Sequence, residues 1–127
     1  MNESDVSRPP ANVAILRGAV RGEPMTRVLP GGGVVVQFDV LTAFGNDGAV
    51  SNTSVPVAWT DPPATLLATV VDGIDVVVVG RVQRRFFRVG GATQSRTEVV
   101  AESVIPARRR KQVDAALGAI VDRLCPS

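Results

Sequence analysis

At 127 residues the chain has room for one buried core and not for two independent domains. A single cysteine and no histidine exclude an internal disulfide, a multi-cysteine zinc site and histidine acid–base chemistry. Formal net charge is only +2, yet every basic residue except Lys111 is an arginine. A GC-rich bacterial genome alone produces an Arg-, Ala-, Val- and Gly-rich protein, so what carries information is where the arginines cluster.

No apolar stretch approaches the roughly 20 residues that a membrane helix requires, and the opening MNESDVSRPP has no signal-peptide apolar region. A soluble protein of the reducing cytoplasm is the expectation, with no membrane partner. Residues 1–11 contain Pro9 and Pro10 and no apolar period, which predicts a flexible arm. Residues 12–20 (NVAILRGAV) alternate as a first strand, with Gly18 marking a bend or a close backbone approach. Pro24, Pro30 and Gly31 to Gly33 then predict a loop over residues 21–33. That glycine run leads into a strand, not a helix, so it reads as a turn and not as a phosphate cradle.

Residues 34–42 (VVVQFDVLT) are β-branched, with Phe38 and Val40 opposed to Gln37 and Asp39, a half-buried second strand. Residues 43–51 hold two glycines, Asn46 and Asp47, and read as a loop; residues 52–59 (NTSVPVAW) resume an extended pattern, edged or bulged at Pro56. Residues 61–72 (DPPATLLATVVD) offer an N-cap at Asp61, prolines in the permitted first turn, and Leu66, Leu67, Val70 and Val71 at helical spacing, with Gly73 as a stop.

The densest pattern is residues 76–104, in which VVVV is followed by GRVQRRFFRV, Gly90-Gly91 and a second extended run. This predicts a long β-hairpin. With Gly80 as a kink, Arg81, Gln83, Arg85 and Phe87 share one face, and Val82, Arg84, Phe86 and Arg88 share the other. Cations beside a ring suit a polyanion with flat bases; a merely solvated arginine face is the plainer alternative. Finally, residues 106–127 place Val113, Ala116, Leu117, Ile120, Val121 and Leu124 at helical period, an amphipathic helix weakened by Gly118 and preceded by RRRK at residues 108–111. That helix packs on its own barrel, a sister subunit, a foreign partner or a membrane surface. The basic run is either a solvated linker or a source of phosphate contacts. Strand, strand, strand, helix, strand, strand with short connections predicts an all-β protein, a small closed barrel with an added C-terminal helix.

From residue 12 to residue 104 these segments resemble, in order and spacing, a bacterial single-stranded DNA-binding protein of the OB-fold class: NVAILRGAV, GEPMTRVLPGGGVVVQF, VPVAW, and DGIDVVVVGRVQRRFFRVGG with RTEVV. The resemblance implies a five-stranded OB-fold over residues 12–105 with a short helix between strands three and four. Residues 1–11 are then an arm, and residues 106–127 a basic linker and helix. It further implies single-stranded DNA as partner, service in DNA replication, repair or recombination in the bacterial cytoplasm and its nucleoid, and homo-oligomers, tetramers by family habit with a dimer as the alternative. No cofactor, metal or enzymatic activity is implied.

Carried over residue by residue, Trp59 and Phe87 fall on base-stacking aromatics of that family, and Arg27 and Arg85 on basic positions near its DNA backbone path. Arg81, Gln83 and the loop residue Phe44 complete the candidate set. Trp59 and Phe44 each keep a second reading, as a core or rim residue and as a loop anchor. Departures are equally specific. Thr53 and Ser54 stand where a tryptophan and an oligomer-contact histidine are common, Asn46 stands at a loop aromatic, and Asp61 and Asp72 stand where relatives often carry lysine. The acidic C-terminal tip that recruits partner proteins has no counterpart in this sequence, so those partners are not expected of what reads as a divergent or accessory member. The emptied positions favour a second function, an OB-fold protein-interaction or scaffold subunit with little nucleic-acid affinity.

Overall fold

Alternating β-branched runs build five strands, and the computed structural model, which describes residues 10–46 and 49–125, closes them into a barrel. In chain order these are β1 (Ala14–Val28), β2 (Val34–Asn46), β3 (Ala49–Thr60), a one-turn helix α1 (Ala64–Leu67), β4 (Asp75–Val89), β5 (Ala92–Pro106) and α2 (Arg110–Leu124). Hydrogen-bonded neighbours follow the order β1-β2-β3-β5-β4, and β1 also pairs with β4. All ladders are antiparallel except the short parallel one in which Val57, Ala58 and Trp59 meet Val99, Val100 and Ala101. This is the OB topology.

Three local expectations are corrected. The segment 21–28, rich in turn formers, continues β1. Gly22 takes φ +78°, the register with β2 shifts between Arg21 and Met25, and the strand then resumes with Arg27 opposite Val35. A bulge thus absorbs the proline and glycine that suggested a loop. Most of segment 43–51 is likewise strand, with Phe44 opposite Ser51 and Gly45 opposite Val50 at the far end of the β2–β3 ribbon. In the 61–72 segment only Ala64–Leu67 is α-helical, and Asp61 is not its cap. Asp61 takes φ +46°, and its Oδ1 accepts from the Val34 N–H at 2.8 Å, tying the end of β3 to the start of β2. Pro62 and Pro63 separate that tie from the helix, with Pro63 in extended backbone at its N-cap.

The barrel interior is filled mainly by valines. Val20, Val36, Val40, Val57, Val76, Val78 and Val104 are almost fully buried around Phe38 and Trp59, and Leu66, Leu67, Val70 and Ile74 pack against them. Two glycines allow strands to touch backbone to backbone. A Cβ on Gly18 would lie 2.3 Å from the Leu41 carbonyl oxygen, and one on Gly80 would lie 2.0 Å from the Val100 carbonyl oxygen. At Gly80 the β4–β5 register shifts, pairing Val79 with Ser103 but Gly80 with Ala101, so Glu102 is left over as a bulge.

Helix α2 settles on the barrel's own outer wall. Ile120 is buried, and Val113, Ala116 and Leu117 pack with it over Val77 and Val79 of β4. Arg123 in its last turn donates to the bulged Glu102 at 2.8 Å. Its remaining large apolar residues, Val121 and Leu124, stay exposed. Among the described residues no helix is long and apolar enough to cross a membrane. Of the arm expected over residues 1–11, residues 1–9 lie outside the described residues.

Candidate nucleic-acid interface

Past Gly80, β4 and β5 run on as a ribbon that ends at Gly90-Gly91, whose φ values of 56° and 83° are those of a two-residue type I′ turn. Arg88 donates to the Gly91 carbonyl at 3.0 Å and ties down the tip. The kink at Gly80 and strand alternation place Arg81, Gln83, Arg85 and Phe87 on the outer face, as the sequence predicts. Val82, Arg84, Phe86 and Arg88 continue the inner face beyond the barrel. At the root of the ribbon the Asn12 side chain imitates a peptide unit, donating to the Val82 carbonyl at 2.8 Å and accepting from its N–H at 2.9 Å.

The outer face carries two open depressions that share Arg85. One, of about 390 Å³, is lined by Arg27, Gln37, Arg85, Phe87 and Arg96. The other, of about 310 Å³, is lined by Leu29, Val35, Ala58, Thr60, Arg81, Gln83, Arg85, Glu98 and Val100. Together they form a groove across β1, β2, β3, β5 and β4. Arg85 is half-buried at its centre, and Phe87 keeps 38% of its surface exposed beside it. Among the described residues none of Arg27, Arg81, Arg85 or Arg96 forms an ion pair with a carboxylate, so their charge is available to a ligand.

Five of the seven predicted residues, Arg27, Arg81, Gln83, Arg85 and Phe87, meet in this groove. Trp59 does not. Its side chain lies inside the barrel at 2% exposure, opposite Val36 in the β2–β3 ladder, and no ring face is offered to a base. Position 59 alternates with the outward Ala58 and Thr60, and the strand's own pleat turns the indole inward. Phe44 is exposed at 67%, but its place on β2 is in register with the inward Phe38 and Val40, on the ribbon face opposite Gln37, and it lines neither depression. Arg96, one of the clustered hairpin arginines, and Gln37 and Glu98 belong to the groove as well, outside the seven residues that the sequence predicts. Arg96 was findable, because it stands opposite Arg85 when residues are counted outward from the glycine turn. Gln37 is brought in only by barrel closure.

A larger depression, about 610 Å³, lies elsewhere, between β1, β4 and the start of α2. It suits a polyanion less well, since Arg17 and Arg110 are already paired with Asp75 and Asp114 at its rim and no aromatic lines it. Hydrogen bonding to Asp75, reinforced by the carboxylate's charge, raises the Arg17 pKa above the ordinary arginine value. Arg17 therefore stays cationic but occupied.

No family model and no curated protein matches the chain. Among solved structures it is similar to the Plasmodium falciparum SSB complex with ssDNA, with 22% identity, a TM-score of 0.67, and coverage of 83% of this chain and 97% of that one. What an identity this low establishes is architecture, and the chain is a five-stranded OB-fold protein.

Proposed function

We propose that the chain binds single-stranded DNA without reading a defined sequence, by seating bases against Phe87 and phosphates on Arg27, Arg81, Arg85 and Arg96. The observation that carries this reading is the groove itself, where four arginines with no ion pair among the described residues and one accessible ring converge on the outer face of an OB barrel. Non-specific single-strand binding needs a positive track for the backbone and an aromatic platform for bases. The likeness to an SSB solved with ssDNA supports the same reading. Work in DNA replication, repair or recombination, as a homo-oligomer, is part of the proposal.

Anisotropy of a labelled oligo-dT, titrated with protein at several salt concentrations, tests it. Four phosphate contacts predict a log–log slope of about −3, each single-strand contact contributing roughly −0.7. Replacing Phe87 by Ala should weaken binding about 5- to 150-fold, the equivalent of about 1–3 kcal/mol for one stacked base, with unfolding temperature unchanged. Absence of binding at low salt would sink the proposal. It would also promote the scaffold reading, which the burial of Trp59 favours by leaving Phe87 as the one ring in the groove.

A further inference from the structure

In the floor of the groove, between the cations, sits a carboxylate that phosphate binding does not use. Glu98 lies on β5 opposite Gln83 and is 4% exposed, a buried charged residue among valines. It lines the same depression as Arg81, Gln83 and Arg85, and among the described residues it forms no ion pair with either arginine. Its carboxylate takes no hydrogen-bond donor among the described residues and is not a sealed, orphaned group, so its lone pairs face the open side of the groove and can take a donor from a ligand there. An ionised carboxylate only accepts hydrogen bonds. A phosphate, all acceptors and negative, is repelled there. A nucleobase edge is not, where an exocyclic amino N–H and not a carbonyl oxygen faces the carboxylate.

We propose that Glu98 makes the groove discriminate among bases, accepting a hydrogen bond from an exocyclic amino group and so favouring cytosine and adenine over thymine and uracil. Cytosine N4 and adenine N6 carry such donors, and a carboxylate accepting from cytosine N4 is a known type of base contact. Thymine and uracil place a carbonyl oxygen at the corresponding position, setting lone pair against lone pair. The inference rests on the groove being a single-strand binding site. It adds a bias in base composition to a binding mode that reads no defined order.

The test compares oligo-dC with oligo-dU of about 12 nucleotides, within the span of one OB fold. The two differ at C4, amino donor against carbonyl acceptor. The wild-type preference for dC over dU should shrink by about fivefold or more in Glu98→Gln, whose amide both donates and accepts. With wild-type protein, an oligomer of N4,N4-dimethylcytidine, which keeps the ring but has no N–H at that position, should lose the advantage in the same way, independently of how the variant folds. An unchanged dC-to-dU ratio in Glu98→Gln, or equal tightening on both oligomers, would overturn the inference; equal tightening would show that Glu98 only repels phosphate. Failure of wild-type protein to bind either oligomer at low salt would instead bring down the proposed function.

Discussion

Replacing Trp59 by Ala separates a core role from a stacking role. At 2% exposure the indole packs with Val36, Phe38, Val57 and their neighbours, so its removal leaves a cavity inside a closed barrel that cannot collapse onto it. Large aromatic-to-alanine changes in cores cost about 3–5 kcal/mol. Typical domains have only about 5–15 kcal/mol in total. With a urea slope of about 2 kcal/mol per molar, the midpoint should fall by about 2 M. The variant molecules that remain folded should bind oligo-dT as the wild type does, because the groove is untouched. In the wild type, acrylamide should quench Trp59 poorly, and added oligo-dT should leave its emission maximum unshifted. The reasoning is refuted if the variant loses less than about 1 kcal/mol of stability while losing DNA binding, or if DNA shifts the emission maximum.

Two further substitutions probe the scaffold. Gly80→Ala places a methyl group 2.0 Å from the Val100 carbonyl oxygen and 2.9 Å from Ala101 Cα, both backbone atoms. The clash can be relieved only by opening the β4–β5 ladder, which predicts a loss of about 3 kcal/mol or more and a melting temperature lower by roughly 10 °C in a thermal scan. Gly118→Ala should do the reverse, because the glycine sits in the middle of α2 with ordinary helical backbone and nothing within 4 Å of an added Cβ. A gain of about 0.5–1 kcal/mol in chemical denaturation is expected, and a loss would mean that α2 is not helical there.

Much of the barrel is legible along the chain because strands announce themselves by alternation. The run VVVV at residues 76–79, the Gly90-Gly91 turn and the parity of Arg81, Gln83, Arg85 and Phe87 are local facts, and the structure keeps all of them. Loops are less legible, because a bulge and a loop draw on the same residues. Gly22 and Pro24 served a bulge inside β1, and that continuation is what carries Arg27 to the groove.

Sequence by itself determined the order of elements, the all-β class, the hairpin and which residues share each of its faces, since each depends on neighbours within a few positions. Tertiary structure alone decided what faces what. Barrel closure puts Gln37 of β2 beside Phe87 of β4, two strands that share no ladder. It also turns Trp59 into the core and sets Glu98 beside the groove arginines with no ion pair among the described residues. Burial is a property of the closed surface, and no local pattern distinguishes a tryptophan that fills a barrel from one that waits for a base.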